Sequence, residues 1–244
     1  MKREIKRKKE QKMIEEIKDM NKEMLEKKNK QGLTRLAEAT MRGETAIVNI
    51  LIENGANLET RDNNKNTPII YASQNPMTKE NERLIKFLIQ AKVKLNVENE
   101  QGMTPILYAI AQQSKKMTDV LTTNSDVNIN YINKYGETPL IRAIKESTED
   151  IIKMLVEKKG ANVNDTRTAQ TALQLAVSKK NNKRIVGILL NNAANPNQKN
   201  DIESSSVLRQ AVLKQDAEMV HMLFKKNATI QSNDYLLHAL LHSE

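Results

Sequence analysis

The six residues "TPLIRA" at 138–143 recur along the chain in altered copies, and this recurrence limits the possible folds more than any other feature. The copies are "TRLAEA" at 34–39, "TPIIYA" at 67–72, "TPILYA" at 104–109, "TALQLA" at 171–176, "SVLRQA" at 206–211 and "DYLLHA" at 234–239. Their first residues lie 33, 37, 34, 33, 35 and 28 positions apart. Threonine is a good helix N-cap, and proline suits the first helical position, where a missing N–H costs nothing. Each copy therefore marks a loop turning into a short helix. A fixed period of this length is the signature of stacked repeats.

A second recurring segment follows most of these anchors. It reads "IVNILIENGANLE" at 47–59, "LIKFLIQAKVKLN" at 84–96, "IIKMLVEKKGANVN" at 151–164, "IVGILLNNAANPN" at 185–197 and "MVHMLFKKNATIQ" at 219–231, with a shortened "MTDVLTTNSDVN" at 117–128. The apolar positions have helical spacing, as in Ile47, Ile50 and Leu51 with Val48 beside them. Gly55, Asn124, Gly160 and Asn227 stand where the second helix should stop, because glycine and asparagine tolerate the left-handed C-cap. A unit of about 33 residues cannot bury its own apolar side and must stack on its neighbours.

Composition agrees. Only 39% of the 244 residues are hydrophobic, 3% are aromatic and none is Trp, which suits thin stacked layers of Leu, Ile, Val and Ala better than one thick core. No apolar run approaches the roughly 20 residues of a membrane span. The chain has no Cys, so disulfides and thiolate metal sites are excluded, and a reducing, cytoplasmic setting is expected; export by a route not visible in the sequence is the alternative. The net charge of +9 is concentrated at the start, where residues 1–12 hold seven Lys or Arg against two Glu. No apolar stretch follows that run, so it is not an intact signal peptide.

The period near 33, the T-P-L helix start, the Ala five residues after the Thr, and "GAN" or "SDVN" after the second helix together resemble the ankyrin repeat, from about residue 31 to the C-terminus. The resemblance implies an all-α solenoid of L-shaped helix–turn–helix units with β-turn fingers. It implies six repeats and a partial C-terminal cap over 31–244; residues 1–30 lie outside the resemblance and are expected to form a charged N-terminal helix. The family usually places His after T-P-L, where it bonds the Thr hydroxyl. This chain has Ala37, Ile70, Leu107, Ile141, Gln174, Arg209 and Leu237 there, so apolar packing is expected in place of that polar ladder.

Two irregularities stand out. "QNPMTKEN" inserts four residues between the helices of the second unit, with Asn75 and Pro76 setting a turn. The finger at 126–138 is two residues longer than that of the first repeat, and carries Tyr131, Ile132 and Tyr135 where other fingers hold Asn, Lys, Glu and Asp. In the ankyrin family the first helix lines the concave face, and the residue before the anchor Ala in successive repeats is Tyr71, Tyr108 and Arg142. Tyr and Arg are enriched in binding hot spots. These six residues are therefore candidates for contacting a protein partner, with packing against the neighbouring helix as the other role open to the tyrosines.

In the N-terminal segment, Met13, Ile17, Met20 and Met24 form a stripe with Ile14 and Leu25 beside it. A capping helix for the first repeat is the leading reading; a dimerising coil through 13–25 is another, in an otherwise monomeric protein. The cluster Lys2, Arg3, Lys6, Arg7, Lys8 and Lys9 supplies the second functional reading, contact with nucleic acid or an anionic surface, although it lacks aromatics for base stacking. No phosphate-loop, dinucleotide, nucleophile-elbow or zinc-protease motif is present. His221, His238 and His242 are the only histidines, and the last two, four apart, make a weak metal case. No cofactor is implied. The expectation is a non-enzymatic protein-binding module that sequesters or inhibits its partner.

Overall fold

The computed structural model describes residues 11–198 and 206–230, and no strand occurs among them. The chain forms two compact units, Met1–Asn128 and Ile129–Glu244. The seventh anchor at 234–239, with His238 and His242, lies outside the described residues.

In the first unit, α1 covers residues 11–18 and α2 is Lys22–Glu26. Three helix pairs follow: α3 (Arg35–Met41) with α4 (Thr45–Glu53), α5 (Pro68–Gln74) with α6 (Lys79–Gln90), and α7 (Pro105–Ala111) with α8 (Lys115–Thr122). First helices pack on first helices and second on second, α3 on α5 on α7 and α4 on α6 on α8. The second unit repeats the arrangement with α9 (Pro139–Lys145) and α10 (Glu149–Lys153), α11 (Ala172–Ser178) and α12 (Lys183–Asn191), α13 (Val207–Leu213) and α14 (Ala217–Lys225). There α9 packs on α11 and α11 on α13. Each unit thus stacks three helix–turn–helix pairs among the described residues.

The anchors act as their composition requires. Thr104 Oγ1 accepts from Leu107 N at 3.3 Å, Thr138 Oγ1 from Ile141 N at 3.2 Å and Ser206 Oγ from Arg209 N at 3.1 Å. The residue in the histidine position is apolar and buried in Ile70, Leu107 and Ile141. Gln174 departs from the expected apolar substitution. Its Oε1 accepts from Thr171 N at 2.8 Å while its own N donates to Thr171 Oγ1, a complete capping box.

Helix ends follow the expected glycines at Gly55 and Gly160 and the expected Asn227, all with positive φ. Lys92 and Ala193 fill the same turn at φ of 62 and 63°, a strained conformation that their side chains do not announce. Asn124 does not act as a left-handed cap; α8 ends at Thr122, and Thr123 Oγ1 donates to Val120 O at 2.6 Å. The second helix of the fourth repeat holds one residue more between its first apolar position and its closing glycine, Ile151 to Gly160 against Ile47 to Gly55. The chain absorbs the extra residue by widening into a π-helical turn at Met154–Lys158.

The N-terminal stripe is broken rather than continuous. The helix stops at residue 18 and restarts at Lys22, with Asn21 Oδ1 accepting from Met24 N at 2.9 Å. The restart rotates Leu25 inward and leaves Met24 about half exposed. Ile17 and Leu25 are buried in the same core as Leu36, Ile47 and Leu51.

Loops are tied by one recurrent device. In the first unit Glu26 Oε1 accepts from Asn57 N, Glu59 Oε1 from Lys94 N and Asn96 Oδ1 from Asn128 N, at 2.7 to 2.8 Å. In the second unit Asn130, Asn164 and Asn197 accept in the same way from Asn162 N, Asn195 N and Thr229 N. Asn164 and Asn197 also donate through Nδ2 to Ala193 O and Asn227 O. One side chain per repeat thus satisfies the backbone leaving the next second helix, where helical partners have run out.

Candidate functional site

The fingers leading to the first four anchors are built on an Asn or Asp. Asn99 Oδ1 accepts from Gln101 N and Met103 N, both at 3.0 Å, and Asn133 Oδ1 accepts from Tyr135 N and Glu137 N at 3.0 and 2.9 Å. Asp62 Oδ1 accepts from Asn64 N and Asn66 N at 3.0 and 2.6 Å. A short carboxylate or amide can replace the backbone partner in such a turn. Asn29, Asp62, Asn99 and Asn133 each stand five residues before their Thr, so the signal was legible once the repeats were aligned.

Tyr71 and Tyr108 both reach back nine residues to this finger lock. The Tyr71 hydroxyl donates to Asp62 Oδ2, and Asn66 Nδ2 donates to the same oxygen at 3.2 Å. Asn99 Nδ2 donates to Asn66 Oδ1 at 2.9 Å and to the Tyr108 hydroxyl at 3.0 Å, and that hydroxyl donates to Gln101 Oε1 at 3.2 Å. One polar network therefore joins the two tyrosines across adjacent fingers. Burial, and then the hydrogen bond to Asp62, pushes the Tyr71 phenol up to about 12. Tyr71 is only 8% exposed, so it braces its finger from within, the packing role that stood as the alternative to partner contact. Tyr108 is half-buried.

In the second unit Arg142 occupies the position held by Tyr71 and Tyr108. Its guanidinium faces Glu137 at 3.5 Å and Glu146 at 3.0 Å, and Lys145 meets the buried Glu137 at 3.0 Å. The arginine is thus already neutralised within its own helix and finger. Tyr131 and Ile132 are half-buried. Tyr135 is 67% exposed, with Lys134 Nζ 5.2 Å from its ring centroid. Lys2, Arg3, Lys6, Arg7, Lys8 and Lys9 lie outside the described residues.

Among the described residues no three His, Cys, Asp or Glu side chains are grouped to hold a metal ion, and no helix is long and apolar enough to cross a membrane.

Two family models match the sequence: three copies of the ankyrin repeat over residues 77–167 and a single ankyrin repeat over 170–201, together half of the chain. The chain belongs to the ankyrin repeat family. No curated protein matches it. Among solved structures it is similar to an ankyrin repeat domain from Acinetobacter baumannii, at 25% identity and a TM-score of 0.69, over 80% of this chain and 98% of that one. The ankyrin repeat domain of Bcl-3, of the IkappaB protein family, aligns at 21% identity and a TM-score of 0.71, over 82% of this chain and 86% of the other. The human ASB11 ankyrin repeat domain aligns at 22% identity and 0.67, over 88% and 90%. Ankyrin repeats are non-enzymatic scaffolds for protein–protein interaction, and this ankyrin chain shares their helix pairs, capped anchors and finger turns.

Proposed function

We propose that this ankyrin repeat protein binds a protein partner through its first helices and β-turn fingers, foremost through Tyr131, Ile132 and Tyr135 of the second unit with Arg142 on α9, and acts by sequestering or inhibiting it. The observation that supports this most directly is Tyr135, a large aromatic side chain two-thirds exposed on a finger whose backbone is locked by buried Asn133. A rigid turn presents such a ring with little ordering cost on binding, and Lys134 beside it adds a charge. Arg142, held by Glu137 and Glu146, contributes as part of a charged patch rather than as a free guanidinium.

The test is affinity capture from the source organism with the wild-type chain, followed by calorimetry with each purified candidate. Tyr135→Ala is expected to weaken the interaction by roughly 1–3 kcal/mol, mainly through faster dissociation, without lowering the melting temperature. A specific partner whose affinity is untouched by Tyr135→Ala and Arg142→Ala would remove the finger from the proposal.

A further inference from the structure

In the second unit a groove of about 540 Å³ runs between α10 and α12, which pack side by side. Glu149, Lys153 and Glu157 line one rim, four residues apart along α10 and the π-helical turn that follows it. Arg184, Gly187 and Asn191 line the other rim, along α12.

The helix itself has no need of Gly187. Glycine in a helix interior is destabilising relative to alanine, because it loses the most backbone freedom on folding. Gly187 does not have a positive φ, and a Cβ there would meet only Met222 Cε at 3.5 Å, an ordinary contact. The equivalent residues of the other second helices are Asn49, Lys86, Asp119, Lys153 and His221. Neither backbone conformation nor internal packing therefore calls for the glycine. Its effect is to bare the backbone of α12 along the groove, where another chain can come close.

The charges select the occupant. Two acids and two bases balance along the rims, so the groove lacks the excess of positive charge that nucleic acid or an anionic membrane requires. Among the described residues only Glu149 and Arg184 meet across it, at a long 3.9 Å, and the Arg184 side chain is 84% exposed. Lys153 and Glu157 are exposed. The two rims complement each other level by level. Acidic Glu149 stands opposite basic Arg184, while Lys153 and Gly187, like Glu157 and Asn191, hold the same place in helices 34 residues apart. A surface that carries both halves of one pattern matches a copy of itself about a two-fold axis.

We propose that the chain self-associates through this groove, with α12 of each copy lying in the groove of the other. The two α12 helices run parallel on either side of a two-fold axis directed along the groove. At the level of Gly187 no side chain separates them, so their axes can approach to about 8 Å, the short end of helix packing. Glu149 of each copy pairs with Arg184 of the other, Glu157 accepts from Asn191 Nδ2, and the Lys153 stem crosses the bare backbone at Gly187. The finger and Tyr135 take no part in this contact.

Sedimentation velocity of the full chain between about 10 µM and about 1 mM tests the contact. A few turns of helix on each side bury less than the roughly 1,200 Å² at which tight complexes begin, so the expected dimer is reversible, with a dissociation constant on the order of 100 µM. Gly187→Lys should be monomeric throughout and keep the wild-type melting temperature, since lysine stands at the same place in α6 and α10. Glu149→Arg and Arg184→Glu should each weaken dimerisation by about tenfold, because each sets like charges opposite one another. An equimolar mixture of those two variants should regain wild-type affinity, since every facing pair is again of opposite sign. Tyr135→Ala should leave dimerisation unchanged. A wild-type chain that stays monomeric to about 1 mM, a dimer that survives Gly187→Lys, or a mixture no tighter than its two components would each overturn the proposal.

Discussion

Replacing Tyr71 by Phe removes one oxygen from an otherwise closed network, and the structure sets both the size and the pH dependence of the effect. At pH 8 the lost interaction is a buried hydrogen bond to the Asp62 carboxylate, worth about 2 kcal/mol for a charged acceptor. Asn66 Nδ2 still reaches Asp62 Oδ2, which holds the loss to that range. The wild type should therefore be more stable than Tyr71→Phe by that amount. The phenol ionises near 10 when unfolded and near 12 when folded, so the neutral form is favoured by folding. A raised folded value means that the stabilisation is complete below pH 10 and is lost as pH rises from 10 through 12. Two units correspond to about 3 kcal/mol, so the advantage over Phe should vanish near about pH 11.5 and then reverse. Urea unfolding followed by circular dichroism for both proteins between pH 8 and 12 gives the difference directly, and other tyrosines and lysines cancel. A constant gap across that range would refute the buried, Asp62-bonded phenol. A gap of zero at pH 8 would refute the brace itself.

Leu140→Ala removes a side chain 3% exposed and should cost roughly 2–5 kcal/mol; hydrogen exchange should speed up in the fifth repeat as well as the fourth, because α9 packs on α11. Ala193→Gly relieves a positive φ at the end of α12 and should raise stability by about 1 kcal/mol in thermal unfolding. Glu82 sits between Lys116 and Lys86, whose hydrogen bonds hold its carboxyl down at about 2. Its lowered folded value means that the contribution is present above pH 4.5 and is lost as pH falls through 2, so the advantage over Glu82→Gln should disappear across that window in acid unfolding and shrink with added salt.

The repeat period, the helix pair in each unit, the capped anchors and most buried positions were set by sequence alone, because they follow from local rules. Thr at an N-cap, Pro after it and apolar residues at helical spacing act within a few residues of one another. Leu140, Ala143, Ile152 and Leu189 are buried as that spacing requires. The roles of side chains that act across repeats were decided only by tertiary structure. Tyr71 on a first helix and Tyr135 on a finger are the same residue type, yet one is closed in by Asp62 and Asn66 and the other stands in solvent. Arg142, a candidate for partner contact, is held by Glu146 four residues on and by Glu137 of the finger just before its helix. The π-helical turn at Met154–Lys158 comes from a single extra residue between two positions that stacking holds in place. Hydrogen bonds and ion pairs between residues some thirty positions apart depend on the stack that positions them, and no local pattern encodes that register.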